Sequence, residues 1–425
     1  MEAIPSLDLL RSKVFSLFTR EEVDADARLA GYTLRADRGL PPFEFVVASI
    51  MAAVSERCRS FATVWRVLVS VMGIRLARSA VTQRFDSGSA KLMELLFHRA
   101  LARLSAPEHP ELLGKLARFR QVLANDGSVV KLSPVLAKLF PATRTNSVQA
   151  AAKLHATVDL VHRRITGVVL TGERQSEIGV AEEAVIEPGT LIINDLGYFK
   201  HRYFAKIKDA KADLLSRLKE NSNPVVTRVR HGVIAPVRSI GMKLNDLTLC
   251  RTQETCDFDA LFEMEDGEVE LRIVGLFNTT DGKYHFYVTT LPAEEWSAWD
   301  LYILYTLRWV IELFFKLMKS SLHLEHVRTG NADAMRTHLY ASLLASVVLQ
   351  ATTEAAAAKA EIPVNRISPL VAGIAAPLLA VPLALLWLDK RISPQSLADL
   401  VLRTLFLGCV DQNPRRTHEY WKLLS

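Results

Sequence analysis

At 425 residues the chain exceeds one compact domain, and its length suggests two to four. With 49% hydrophobic and 23% charged residues it is too apolar for a disordered polymer and can bury a sizeable core. A net charge of +6 and a pI near 9.1 favour a polyanionic partner, although the basic residues are spread out and form no arginine-rich tail.

Four cysteines (Cys58, Cys250, Cys256 and Cys409) are too few and too scattered for a disulfide framework, and no histidine near Cys250 and Cys256 completes a zinc site. The start of the chain mixes Glu2, Asp8, Arg11 and Lys13 with apolar residues, unlike a signal peptide, so the cytoplasm is the expected location.

Residues 1–115 read as helical. Pro41-Pro42 introduces a run from Phe43 to Val54, a second helix covers Ser60 to Val71, and Gly73 punctuates. Ser79 is an expected N-cap for a third helix carrying Gln83 and Arg84, and Ala90 to Leu104 forms a fourth. This pattern is compatible with a DNA-binding helix-turn-helix that uses Arg84, or with a plain helical bundle.

The texture changes near Phe119. Gln121 to Ala124 is a strand ending at Asn125-Asp126-Gly127, and a loop spans Pro141 to Ala151. Lys153 to Leu160 and Ile165 to Thr171 are strands joined at His162-Arg163-Arg164, and Ser176 to Ile186 is a helix. Gly189 launches the buried-type strand Thr190 to Asn194, which ends at Asp195-Leu196-Gly197; a helix through Lys206 and a strand from Asp213 to Leu218 follow.

Residues 221–298 turn to alternating strands, clearest at Leu271 to Phe277 and Tyr284 to Thr290 around an Asp281-Gly282 turn. Residues 299–330 hold a helix and residues 331–425 return to a helical, alanine- and leucine-rich texture. Within it Pro369 to Leu388 carries no charge over 20 residues, long enough to cross a bilayer. Pro377 and Pro382 would interrupt such a span, nothing like a second span accompanies it, and a buried, kinked helical hairpin is the expectation. The competing membrane-attached form would sediment with lipid.

Read as one helix, Tyr305 to Lys319 collects its polar chemistry on one side. At roughly 100° per residue, Arg308, Glu312 and Lys319 fall within about 60° of Tyr305. Lys316 shares that face, either as a further DNA contact or as solvated decoration; Arg308–Glu312 and Glu312–Lys316 are also pairs of a kind common on solvated helices. A carboxylate flanked by cations suits a site that holds a metal and a phosphate together.

Asp126 and Asp195 each close an apolar strand and precede a glycine. Singly, Asp126 reads as a hairpin residue and Asp195 as a turn or cap. Jointly, if the two strands are neighbours, both carboxylates emerge at one sheet edge, and a crossing helix can deliver Glu312. Three hard oxygen donors suit two Mg²⁺ ions acting on a phosphodiester. Strand-ending Asp, two strands, helix, strand-ending Asp, helix, strand and a helix with Glu is the order of a ribonuclease-H-like nuclease. The expected fold is therefore an α/β core: a ribonuclease-H-like mixed sheet (116–220, completed by 299–330) interrupted by a β-rich insertion (221–298), between all-helical ends (1–115 and 331–425).

Asp126-Gly127-Ser128, Lys153-Leu154-His155 and Asp195-Leu196-Gly197-Tyr198-Phe199 resemble successive blocks of bacterial DDE insertion-sequence transposases. Tyr305, Arg308, Glu312 and Lys319 match the Tyr-Arg-Glu-Lys signature of the insertion sequence four family in every spacing; the resemblance spans about residues 120–330. It implies cut-and-paste transposition by metal-dependent hydrolysis and strand transfer. Asp126, Asp195 and Glu312 would be catalytic metal ligands for Mg²⁺, with Mn²⁺ as a substitute, and Tyr305, Arg308 and Lys319 would contact the transposon-end backbone. It further implies double-stranded DNA partners (terminal inverted repeats and target), a homodimer holding two ends, no membrane, and a bacterial cytoplasmic, nucleoid-associated location. The β-rich insertion of relatives supplies an aromatic residue that holds a flipped base; Trp296 is a candidate, against ordinary core packing. His323, Glu325 and His326 lack the zinc-protease arrangement. The alternative function is a catalytically idle, element-derived DNA-binding protein.

Overall fold

Polar caps set where the first helices begin. Ser6–Lys13 forms α1, and Thr19 opens α2 (Arg20–Ala30) through a capping box with Glu22. Next come α3 (Pro42–Ser55), α4 (Phe61–Arg66, running into a π turn at Val67–Val71), α5 (Arg78–Thr82) and α6 (Ser87–Arg103). In this computed structural model the described residues are 6–32, 39–55, 60–74, 76–104, 114–143, 148–161, 164–250, 253–265, 267–279, 282–322, 329–388 and short stretches between 393 and 402. His162, Arg163, Asp281, His323, Glu325, His326, Cys58 and Cys409, all named above, lie outside them.

The third helix departs from expectation. It is five residues long, Ser79 lies inside it rather than capping it, and Gln83 and Arg84 follow its last turn. Asp86 accounts for this: its side chain accepts the Ser89 N–H at 2.9 Å and starts α6 at Ser87, ahead of the expected Ala90.

The central strands are β1 (Gln121–Lys131), β2 (Ala151–Asp159), β3 (Arg164–Gly172), then, after α7 (Glu177–Glu183), β4 (Thr190–Asn194), and after α8 (His201–Asp209), β5 (Asp213–Arg217). β6 (Val225–His231), a short α9 (Pro236–Ser239), β7 (Thr255–Met264), β8 (Gly267–Asn278) and β9 (Lys283–Thr289) follow. Among the described residues these strands make one mixed sheet in the order β3-β2-β1-β4-β5-β9-β8-β7-β6. β1, β4 and β5 are parallel, and all other pairs are antiparallel. Every residue of β4 is buried, as a strand central to a covered sheet requires.

The β-rich stretch is inserted in the chain between β5 and the helices that carry Tyr305 and Glu312, and it widens this sheet. β9 pairs with the edge of β5 at Leu215↔Thr289, so β6–β9 extend the same hydrogen-bonded layer. A buried ion pair ties β7 to β8: Arg272 donates twice to Asp257, at 2.6 and 3.1 Å, and once to the Leu291 carbonyl at 3.1 Å. All three guanidinium nitrogens of Arg272 thereby find an acceptor in a buried setting.

Helices from both ends of the chain share one core. After α10 (Ala298–Thr306) and α11 (Trp309–Lys316), α12 (Ala332–Ala360) packs against α1, α3 and α6, and α13 (Pro369–Trp387) packs on α3. Ser89 and Thr337 hydroxyls meet at 3.1 Å, and Tyr340 donates to Glu94 at 2.6 Å, joining α6 to α12. α12 is buried around most of its circumference, so its hydrophobic residues follow no single stripe.

Among the described residues, α12 and α13 are both long and apolar enough to cross a membrane. The most apolar window of α12 is 89% covered by protein, against 39% for α13. Two expectations are thus corrected: a second such helix exists, and Pro369–Trp387 form one helix rather than a hairpin. Pro377 and Pro382 each remove a backbone donor without reversing the chain. One face of α13 packs inward, and the other exposes Ile374 and Leu378.

Candidate active site

The parallel pairing of β1 and β4 builds the site. Asn125 is in register with Asn194, so the next residues, Asp126 and Asp195, stand side by side at one sheet edge, about 5 Å apart in backbone terms. Below them Asn125 reaches Asn194 at 3.4 Å and accepts from Thr157 at 2.8 Å, which ties three strands together. Asp126 does not end its strand. β1 runs on to Lys131 because Gly127 and Ser128 continue the ladder with His155 and Leu154 of β2. The Asn-Asp-Gly triplet is therefore no turn; it marks where the β4 partnership ends and the β2 partnership continues. Asp195 does follow the last residue of β4 and leads into a 3₁₀ turn at Leu196–Tyr198.

The expected single helix is two. α10 ends at Thr306, Leu307 and Arg308 form a turn, α11 runs to Lys316, and a π turn at Leu317–Ser321 carries Lys319. The break re-aims the polar row. The Tyr305 hydroxyl donates to Asp195 at 3.2 Å, and Arg308 lies 3.8 Å from Asp195 and donates to Glu312 at 2.7 Å. The guanidinium thus stands between the two acids, and its Nε is buried without an acceptor. Glu312 and Lys316 are exposed, and Lys319 is half-buried.

Asp126 is mostly enclosed, and burial raises its carboxyl to about 6. The Gly127 N–H bond at 2.8 Å and the Arg308 charge pull it back down, while Glu177 and Asp195 push it up. Burial also raises the Tyr305 hydroxyl, with the neighbouring Asp195 charge adding to it, so Tyr305 stays a donor.

The structure brings together Asp126, Asp195, Tyr305, Arg308 and Glu312. Among the described residues, no three His, Cys, Asp or Glu side chains converge closely enough to share one ion. Glu312 is here the ion-pair partner of Arg308, at 2.7 Å. Arg84 lies in the N-terminal bundle with its guanidinium 5.2 Å from the Tyr32 ring. Trp296 is fully buried against Phe119, so it presents no face to a flipped base; Trp299 is the exposed tryptophan nearby. Cys250 and Cys256 are free thiols, and burial pushes that of Cys256 up to about 12.

Sequence reading missed two neighbours. The register Asn194↔Ser216 sets Arg217 beside Asp195, and its charge reaches Tyr305. Glu177, the first residue of α7, reaches over Gly127 and Gly197. The only signal for Glu177 was a glycine shortly after each aspartate.

Comparison with known proteins identifies the family. Residues 117–348, more than half of the chain, match the family described as Transposase DDE domain. The transposase for insertion sequence element IS231F of Bacillus thuringiensis subsp. israelensis is 21% identical over 345 residues, 72% of each chain. The transposase for element IS231B of Bacillus thuringiensis subsp. berliner is 21% identical over 356 residues, again 72% of each. The transposase for element IS421 of Escherichia coli is 40% identical over 62 residues, 15% of this chain and 17% of that one. The chain belongs to the DDE transposase family and is a DNA transposase.

Proposed function

We propose that this transposase performs cut-and-paste transposition of its insertion sequence by hydrolysis and strand transfer at the edge where β1, β4 and α11 meet. The single observation carrying this is the alignment of Asp126 and Asp195 on adjacent parallel strands, with Tyr305, Arg308 and Glu312 gathered over them. The order β3-β2-β1-β4-β5, with two antiparallel strands beside three parallel ones, supports reading the core as ribonuclease-H-like.

The donor set fits a hard divalent ion: three carboxylates, one of them kept from water, beside a guanidinium that now supplies the neutralising charge. Asp126, Asp195 and Glu312 would hold Mg²⁺, or Mn²⁺ in its place; when bound, such ions activate an attacking oxygen and steady the leaving oxygen of a phosphodiester. Arg308 turns from the acids to the DNA, where its unpaired Nε and its terminal nitrogens grip a phosphate bidentately. That movement frees Glu312 to approach the aspartates. Tyr305 holds Oδ1 of Asp195, leaving Oδ2, now 3.8 Å from Arg308, as the oxygen that would ligate the ion. Lys319, and Lys316 beyond it, add point charges along the backbone.

A groove of about 440 Å³ follows the C-terminal ends of β4 and β5, lined by Lys200, His201, Lys219, Asn223, Lys243 and the single acid Glu263. Its cations suit the continuing DNA strand. Arg84 and the helices of residues 1–115 would recognise the terminal inverted repeats, and the helices of 331–425 would join two copies so that both ends are held. The exposed stripe Val371, Ile374, Leu378 and Val381 supports placing that contact on α13. Acting on chromosomal and element DNA, the protein would work at the bacterial nucleoid.

The test is Mg²⁺-dependent nicking of a duplex carrying the inverted repeats that flank its own gene. Glu312→Ala is expected to abolish cleavage and keep binding in a gel shift, whereas Lys319→Ala weakens end binding or strand transfer. Binding without any cleavage by the natural chain would instead favour the idle DNA-binding alternative.

A further inference from the structure

Gly127 and Gly197 follow the two catalytic aspartates by one and two residues, yet neither has the positive φ that calls for glycine. Glycine inside a strand weakens it, so its presence points to space rather than to backbone freedom. Glu177 uses that space. A Cβ at Gly127 would stand 2.7 Å from its Oε1, and one at Gly197 would stand 2.6 Å from its Oε2. Each carboxylate oxygen therefore seats over one glycine, and a single side chain bridges the segments that carry Asp126 and Asp195. Two features hold it there. Ser176 caps α7, fixing the backbone of its first residue, and Lys153 of β2 lies 3.5 Å from Oε1 with both side chains mostly enclosed.

We propose that Glu177 is a positioning residue for strand cleavage: its carboxylate, seated on Gly127 and Gly197 and held by Lys153, fixes the separation of Asp126 and Asp195. It touches the segments that bear the acids and not the DNA, so it acts through them. This rests on the functional reading above. The geometry also dictates an unusual equivalence. Because a Cβ at Gly197 meets the far end of a flexible side chain, Gly197→Ala displaces Glu177 rather than the backbone. Losing the carboxylate and crowding it out should have the same effect.

The experiment uses the full-length chain bound to a duplex carrying the inverted repeat that flanks its gene, with Mg²⁺, and reads single-turnover nicking, DNA affinity and melting temperature. Natural chain and Asp126→Ala are the reference and the dead control. Glu177→Ala is expected to slow nicking about 10- to 100-fold, the effect of a misplacement of about 1 Å, with DNA affinity and melting temperature little changed. Gly197→Ala should slow it equally, and the double variant should be no slower than Glu177→Ala alone. Glu177→Gln, which keeps the shape, should restore most of the rate. Unchanged nicking in Glu177→Ala, or multiplied losses in the double variant, would overturn the role. A glutamine as slow as alanine, with Lys153→Ala nicking at the full rate, would also overturn it, because the charge would then act on the reaction itself and not through the Lys153 pair. If Glu177→Ala fails to fold, Gly197→Ala decides the matter alone. A natural chain that does not nick overturns the functional reading and this inference with it; active natural chain, dead Asp126→Ala and unaffected Glu177→Ala overturn only the inference.

Discussion

Replacing Asp126 by asparagine should stabilise the protein, and only above a defined pH. Burial, reinforced by Glu177 and Asp195, raises the Asp126 carboxyl from 3.8 to about 6. The folded state thus holds this proton more tightly than the unfolded chain does, and stability falls as pH rises from about 4 to 6, remaining lower above that. A rise of this size corresponds to at most about 3 kcal/mol, and partial solvent contact reduces the expected gain to roughly 1–2 kcal/mol. The assay is a melting series from pH 4 to 8 in chelator, comparing natural chain with Asp126→Asn. The variant should melt at the same temperature near pH 4 and a few degrees higher above pH 6.5. Adding Mg²⁺ should raise the natural chain alone, since the ion offsets the enclosed charge. A difference that does not vary with pH, or an asparagine variant less stable at pH 7, would refute the reasoning.

Other expectations are narrower. Arg308→Lys should lose bidentate phosphate grip and weaken end binding more than charge counting allows, seen in a filter-binding comparison with Lys319→Arg. Removing Lys219 and Lys243 together should lower the slope of log affinity against log salt by about 2, one phosphate contact each, if the groove carries DNA. Arg272→Met leaves the buried Asp257 charge only its longer 3.4 Å contact with Arg230 and should cost about 3 kcal/mol in urea unfolding, whereas replacing both Arg272 and Asp257 with apolar residues should cost far less. Leu378→Glu on the exposed face of α13 should shift sedimentation from dimer to monomer while leaving monomer folding intact.

How far the chain could be read in advance depended on whether a signal was local. Thr190–Asn194 was legible to the residue, because an apolar run bounded by Gly189 and Asp195 admits one strand. β1 was not, because Asn125-Asp126-Gly127 carries turn chemistry, and only pairing with β2, some thirty residues on, keeps it extended. The break at Leu307–Arg308 has no glycine or proline to announce it; it shows in the separate anchoring of Tyr305 and Arg308 on Asp195. The neighbourhood of Asp126 and Asp195 was inferable from matching strand ends, whereas their register follows from the β1–β4 ladder. Glu177 lay beyond local reading, since its meaning comes from two glycines fifty residues before and twenty after it. The widened sheet was hidden for the same reason: β-rich composition shows strands, not the partner that β9 finds in β5.

The most direct measurement is anomalous diffraction from crystals of the full chain grown with Mn²⁺ and a nicked terminal-repeat duplex. The account requires manganese among the oxygens of Asp126, Asp195 and Glu312, with Arg308 turned onto a DNA phosphate. Manganese bound elsewhere, or an Arg308–Glu312 pair that persists with DNA in place, would contradict it.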